Sequence, residues 1–259
     1  MLAAIRADAC AQAVLTTATA VADLFDAKLA ALHVRQPHGS SPTDLAIALG
    51  APLREVTGSA IDEIIEAASD PEVAALVLGA GGGRRRRDRH PAGHTAIEVI
   101  TRVGKPVAVV SSHAQPQPQL ARILVPLEGT SESSRALADT ITLADRRQLE
   151  IVVLHVHSPA TVPAFADHEP HATAAWEHEF LSRHIAIPHT RVSLERRLGV
   201  PADHTIAVAR EQHVDLIMLA WGQNLSPGHA RVVSRTLSRS DIPLLLVPAG
   251  DAVTPTSSL

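Results

Sequence analysis

Along the second half of the chain, short runs rich in β-branched and leucine side chains alternate with longer stretches whose apolar positions recur at helical spacing. Ile123–Leu127, Glu150–Val156, Thr190–Leu194, Leu216–Leu219 and Leu244–Val247 read as strands. Between them Ser131–Ala144, Asp167–His184, Ala202–Glu211 and Gly228–Arg239 read as helices, the first opening after a Gly129-Thr130 turn. Strand and helix in this rhythm predict a doubly wound parallel sheet, because each crossover helix carries the chain back across a sheet face.

The first half repeats the pattern. Leu32-His33-Val34 recurs 122 residues later as Leu154-His155-Val156. Gly58-Ser59-Ala60 and Gly199-Val200-Pro201-Ala202 each open a helical stretch, 141 residues apart, and VAALVLG at 73–79 recurs at the same spacing as VDLIMLA at 214–220. Lys105-Pro106-Val107 through Val110 returns after 137 residues as Ile242-Pro243-Leu244 through Val247. The rise from 122 to 141 assigns the second copy 19 extra residues, near 158–191. Between the copies, Ser111–Gln119 alternates Gln with Pro, which leaves little to pack and disfavours helix. The expected organisation is a domain over 1–111, a linker over 112–120 and a second domain over 121–259. Residues 1–110 and 121–248 are expected to form two five-stranded parallel sheets of matched strand order, with Ala3–Ile5 and Ile123–Leu127 in different sheets.

Composition narrows the partners. The 259 residues are 46% hydrophobic and 19% charged, enough apolar side chain for packed cores. Aromatics are only 2% and Tyr is absent, so Ala, Val, Leu and Ile must fill those cores. A net charge of -4 and a pI near 6.4 give no global attraction to nucleic acid or to an anionic membrane. Cys10 is the single cysteine, which excludes an intramolecular disulfide and a Cys-based zinc site. No apolar run reaches the roughly 18 residues of a membrane span. Met1–Leu24 carries Arg6, Asp8 and Asp23 and does not read as a signal peptide, so a cytoplasmic location is expected.

Ile123-Leu124-Val125-Pro126-Leu127-Glu128-Gly129-Thr130, then Leu154-His155-Val156, then Gly199-Val200-Pro201-Ala202, and the glycine-rich loop from Gly79 together resemble the universal stress protein family, twice over nearly the whole chain. The resemblance implies an adenine nucleotide alpha hydrolase-like fold of strand order 3-2-1-4-5 in each copy, and ATP or another adenine nucleotide as ligand. Such an order reverses direction between strands one and four and opens a crevice at their carboxyl ends. In the family an acidic residue ends strand one and contacts adenine, and a loop of pattern G-x-x-G-x9-G-[ST] after strand four holds the phosphates. Glycines let the backbone approach a polyphosphate, and the following helix points its first amides at the charge. Copy one matches the loop with Gly79, Gly82, Gly83, Gly93, His94 and Thr95, the spacing of nine running from Gly83 to Gly93, but has Arg6 at the acidic position and Asp8 two residues on. Copy two has Glu128 and Gly129 in place but Trp221, Gln223 and Val233 in the loop, with Gly222, Gly228 and Ser234 as partial substitutes. Each copy thus lacks one of the two anchors, and nucleotide binding is expected to be weak. The resemblance also implies that Val107–Val110 and Leu244–Leu246 meet across a pseudo-twofold axis, where each covers an apolar edge that would otherwise be free to pair.

The remaining candidates have plainer readings. Arg84–Arg89 lacks interleaved aromatics and reads as a solvated loop. The His-rich stretch, His157, His168, His171, His178, His184 and His189, matches no zinc spacing and reads as a polar, pH-responsive helix with its flanks. Cys10 reads as a buried helical residue, Thr130, Ser131 and Ser133 as a helix cap, and His33 and His155 as hydrogen-bonded structural histidines. No nucleophile, base and orienting acid share a productive spacing. The chain is therefore expected to be a stress-response binding or regulatory protein and not an enzyme. A scaffold that meets a protein partner is the alternative, and association of two chains is left open.

Overall fold

The computed structural model describes residues 1–35, 41–81, 92–157, 170–226 and 229–249, the side chains of 170–173 and 189 apart. In the first half, β1 (Leu2–Ile5), β2 (Ala30–Arg35), β3 (Leu53–Thr57), β4 (Leu76–Gly79) and β5 (Val107–Val110) alternate with α1 (Ala11–Leu24), α2 (Thr43–Ala48), α3 (Ala60–Ser69) and α4 (His94–Arg102). Ser111–Ala121 carries neither helix nor strand. The second half repeats the series with β6 (Arg122–Pro126), α5 (Ser131–Arg146), β7 (Glu150–His157), α6 (Pro170–His184), β8 (Val192–Leu198), α7 (Pro201–Glu211), β9 (Leu216–Trp221), α8 (Arg231–Arg239) and β10 (Leu244–Pro248).

The strands form one sheet of ten, in the order β3-β2-β1-β4-β5-β10-β9-β6-β7-β8. Each half has the expected order 3-2-1-4-5 with parallel neighbours, but the expectation of two separate sheets is corrected: β1 and β6 belong to the same one. The join is β5 against β10, antiparallel, with Val107, Ala108 and Val109 opposite Leu246, Leu245 and Leu244. A twofold relation between two parallel sheets requires this orientation at their shared edge. The physical reason is the edge itself. All of Val107–Val110 and Leu244–Val247 are buried, so pairing them satisfies the backbone groups of two apolar strands that water could not reach. The meeting of the final strands is as expected.

Both faces of the sheet are covered, which explains why the central strands read as continuous apolar runs. Ala3 and Ile5 of β1 point to a core shared with Val14, Leu15 and Val21 of α1, Leu137 and Ile141 of α5, and Phe180 and Leu181 of α6. Leu2 and Ala4 point the other way, to a core with Ile64 of α3, Val99 of α4, Val208 of α7 and Leu237 of α8. On the first face Arg147, just after α5, also pairs with Asp23 and Asp26 at the end of α1.

Several element ends differ from the sequence reading by a few residues, and two of the starts have a local cause. β8 starts at Val192 because His189–Arg191 form a 3-10 turn. The last helix starts at Arg231, since Ala230 takes a left-handed conformation (φ 42°); the expected start, Gly228, lies outside the described residues, as do Asp167–Glu169 at the expected start of α6. The largest contrast between the halves is the second crossover, where α2 has 6 residues and α6 has 15. Among the described residues no helix is long and apolar enough to cross a membrane.

Candidate functional site

The sheet order reverses direction between β1 and β4 and again between β6 and β9, so each half has a crevice at the carboxyl ends of those strands. A pair of hydrogen bonds fixes how the two crevices correspond. His33 Nδ1 donates to the Ile5 carbonyl at 3.0 Å, and His155 Nδ1 donates to the Leu127 carbonyl at 2.9 Å. Both imidazoles are the structural histidines the pattern predicts. Superposing them puts Arg6 in the place of Glu128 and Ala7 in the place of Gly129.

The first crevice is open at its strand-one end. Arg6, Ala7, Asp8 and Ala9 are all exposed, and the Arg6 guanidinium leans on Asp8 at 3.4 Å. Cys10 is half-buried at the cap position of α1, not within the helix as expected; burial, and then the charge of Asp8, push its thiol pKa up and keep it protonated. On the other side of the crevice Gly79 ends β4 and the chain turns through Gly81 (φ 65°). The Gly93 amide donates to the Ala80 carbonyl at 2.7 Å, and a Cβ at Gly93 would stand only 3.1 Å from the Gly81 oxygen. Glycine at 93 is therefore what lets the start of α4 close on the loop after β4. Gly93 caps α4 without a side-chain bond, so the amides of His94, Thr95 and Ala96 have no acceptor within the helix, and the His94 and Thr95 side chains are exposed. Such a turn attracts anions through its amides and the helix dipole. Gly82 and Gly83, and Arg84–Arg89 with them, lie outside the described residues.

The second crevice is filled. Glu128 is exposed, but Gly129 (φ 83°) is covered by side chains from α6 and β7: a Cβ there would lie 3.4 Å from Phe180, 3.7 Å from His155 and 3.9 Å from His184 Nε2. Thr130 caps α5 by accepting from the Ser133 amide, as its position predicts. One turn in, the Ser134 hydroxyl donates to the Thr130 carbonyl at 3.0 Å and meets His184 Nδ1 at 2.9 Å. Since Ser134 has one hydroxyl proton, His184 carries its own on Nδ1. Trp176, Phe180 and His184 succeed one another every fourth residue along α6, and with His155 and His157 they form a chain of ring contacts with centroids 4.5–5.8 Å apart, tilted except for His155 edge-on to His157. Burial first, then the neighbouring Arg183 and His155, lower the His184 pKa. This nest escaped the sequence reading, which took the histidine stretch as a polar helix with its flanks; His178 is exposed and the His171 side chain lies outside the described residues. The signal was present in the i, i+4, i+8 spacing of Trp176, Phe180 and His184.

The loop after β9 is equally committed. Trp221 is buried, Gly222 has open space around it, and Gln223 (φ 53°) reaches across to the first half, where Nε2 donates to the carbonyls of Ile100 (3.1 Å) and Val103 (2.8 Å) at the end of α4. Val233 and Ser234 sit in the first turn of α8, Val233 buried and Ser234 half-buried. Glu128, Gly129, Gly222 and Ser234 thus share one end of the sheet, yet the corner at Gly129 is covered. By the repeat, Leu237 and Ser240 correspond to Ile100 and Val103, and Gly82 to Gln223. There a cavity of about 440 Å³ is lined by Ala80, Gly81, Ser111, His113, Leu237 and Ser240 among others. A larger cavity, about 540 Å³, lies at the opposite, amino end of β6–β8 against Arg122, Glu150 and Arg191, away from both crevices.

Residues 120–248 match the model of the universal stress protein family. A universal stress protein of Mycobacterium tuberculosis is 31% identical over 109 residues, which are 41% of this chain and 36% of that protein; the match thus spans about a third of the length of this relative. Among solved structures, a universal stress protein from Archaeoglobus fulgidus aligns with a TM-score of 0.67 over 96% of this chain and 98% of its own, at 15% identity. A putative universal stress protein from Pseudomonas aeruginosa aligns with a TM-score of 0.66 over 95% and 92%, at 14% identity. At such identities these structures speak for the fold.

Proposed function

This chain belongs to the universal stress protein family, and from that premise we propose that it is a binding and regulatory protein that takes an adenine nucleotide, ATP or ADP, weakly at its first crevice. The observation that carries this reading is the contact of Gly81 with Gly93, which leaves the first turn of α4 open with its amides unpaired within the helix. Phosphate oxygens are the groups such a turn accepts best. Arg6 supplies no carboxylate for the adenine amino group and is drawn to Asp8 instead. Loss of one hydrogen-bonding anchor costs about 1–3 kcal/mol, so affinity falls about tenfold to a hundredfold below that of a site with both anchors. The reading includes no catalytic step.

A scaffold role is the second reading, and two observations favour it: in the second half α6 covers the crevice corner, and Gln223 is spent on a contact between halves. Mass spectrometry of the purified, undialysed chain separates the two, since a nucleotide carried through purification supports the first. Calorimetry with ATP then locates the site. Gly93→Val forces the Gly81 backbone aside and is expected to weaken ATP binding by about tenfold or more, while Gly222→Val, which meets nothing within 4 Å, leaves it unchanged. Tight binding that survives Gly93→Val would move the site to the Glu128 crevice.

A further inference from the structure

The second crevice has an occupant already, and it is part of the same chain. Phe180 is 8% exposed and Leu181 and Ile185 join the core beneath, so α6 is seated by apolar burial, not merely laid on the surface. At its carboxyl end the seat is polar: His184 hangs on Ser134, whose hydroxyl in turn holds the Thr130 carbonyl at the start of α5. The same imidazole closes over Gly129, beside Glu128. Among the described residues the first half has nothing comparable, because α2 has 6 residues with Ala46 alone buried, and Arg6–Ala9 stay exposed.

We propose that α6 is a self-supplied plug of the second crevice, held while His184 is neutral and released when His184 takes a proton, which uncovers Gly129 between the exposed Glu128 and Thr130. Neutral His184 donates from Nδ1 to Ser134 and leaves Nε2 bare against Gly129 and the rings of the nest. Among the described residues no acceptor pairs with Nε2, so a proton on it puts a cation against the rings of the nest. The groups around it add little relief. Arg183 on α6 and His155 on β7 both oppose the charge, and His157 on β7 meets His155 edge-on. Arg196 on β8 is paired with Glu177 at 2.9 Å and stands over Trp176. Glu128 at the end of β6 is exposed to solvent, and α5 contributes the Ser134 hydroxyl.

The direction of the pH effect follows. Burial, Arg183 and His155 depress the pKa of His184 in the seated state. Seating is therefore fully stable above the free imidazole value, about 6.5, and weakens as pH falls through the lower seated value.

Trp176 reports the plug directly. The chain has 2 tryptophans, and in a Trp221→Phe background Trp176 is the single one. The rate constant for acrylamide quenching, taken from lifetimes so that ring protonation beside the indole does not interfere, is expected to be low and flat above neutrality and to rise as the pH falls below about 6.5. His184→Gln, which keeps a hydrogen bond to Ser134 but cannot charge, is expected to abolish the rise. Hydrogen exchange of the 174–184 amides in the unaltered chain, corrected for its intrinsic pH dependence, covers the case that Trp221→Phe disturbs the fold. A quenching constant and exchange profile that stay flat to pH 5 would overturn the proposal, and so would a rise that persists in His184→Gln. That the uncovered corner admits nucleotide rests on the functional reading above and is tested apart, by ATP calorimetry at both ends of the pH range. Release of Trp176 with no gain in ATP affinity keeps the plug and removes nucleotide as what it excludes.

Discussion

At the end of β1 the chain passes through Arg6, Ala7, Asp8 and Ala9, all exposed; at the end of β6 the equivalent corner turns through Gly129 under Phe180, His155 and His184. The strand frame beneath is the same, down to the histidine that donates to the last carbonyl of strand one in each half. What differs is the crossover from strand two to strand three, short in α2 and long in α6. A repeat can therefore hold its sheet register constant while one connection changes the state of the site. The backbone follows suit: Gly129 uses a left-handed φ of 83° that Ala7, its counterpart, does not adopt. The loops after strand four diverge in the same manner. One packs glycine on glycine and leaves a cavity between the halves; the other sends Gln223 across to cap a helix.

The comparison presumes that both halves lean on one shared sheet, and the largest effect tests that. Leu245 is fully buried, opposite Ala108 on β5 and Met218 on β9. Leu245→Arg places an unpaired charge at the junction and is expected to cost about 3–5 kcal/mol, read as a drop in the urea midpoint. A near-neutral result would mean that the halves do not depend on the join.

Next in size is the corner that differs most. Gly129→Ala must hold alanine at φ 83° with its methyl 3.4 Å from Phe180, and a loss of about 1–2 kcal/mol is expected in the same measurement. The mirror change, Ala7→Gly, relaxes an exposed loop and is expected to cost under about 1 kcal/mol. Equal costs for the two would erase the distinction between an open and a covered corner.

The smallest effect lies in the loops. Gln223→Ala removes two hydrogen bonds to the end of α4 and is expected to cost about 1 kcal/mol. Gln223→Gly, which gives the second half the residue the first has at position 82, loses the same bonds but relieves φ 53°, and is expected to cost less than the alanine variant. The reverse order in thermal or urea unfolding would show that backbone strain at Gln223 is unimportant.

Much of this was legible in the sequence because it is local. Alternating apolar runs mark strands buried on both faces, as Val107–Val110 and Ile123–Val125 are, and the 122-residue and 141-residue offsets make the repeat and its extra segment visible without any contact. Thr130 before Ser133 is a cap by its chemistry, and Arg6 beside Asp8 at the end of the first strand, where the second copy has Glu128, is plain from the repeat alone. Other features needed the tertiary structure. A run such as Leu244–Val247 announces that it will be buried but not against what, so the pattern could not say that β10 pairs with β5 and turns two sheets into one. Gln223 looks like a defect in a glycine loop until Ile100 and Val103, more than a hundred residues earlier, come within 3.1 Å of its amide. The helical spacing of Trp176, Phe180 and His184 shows a common face, and only the fold lays that face over Gly129, because burial is decided by which surfaces meet and periodicity records only that a surface exists.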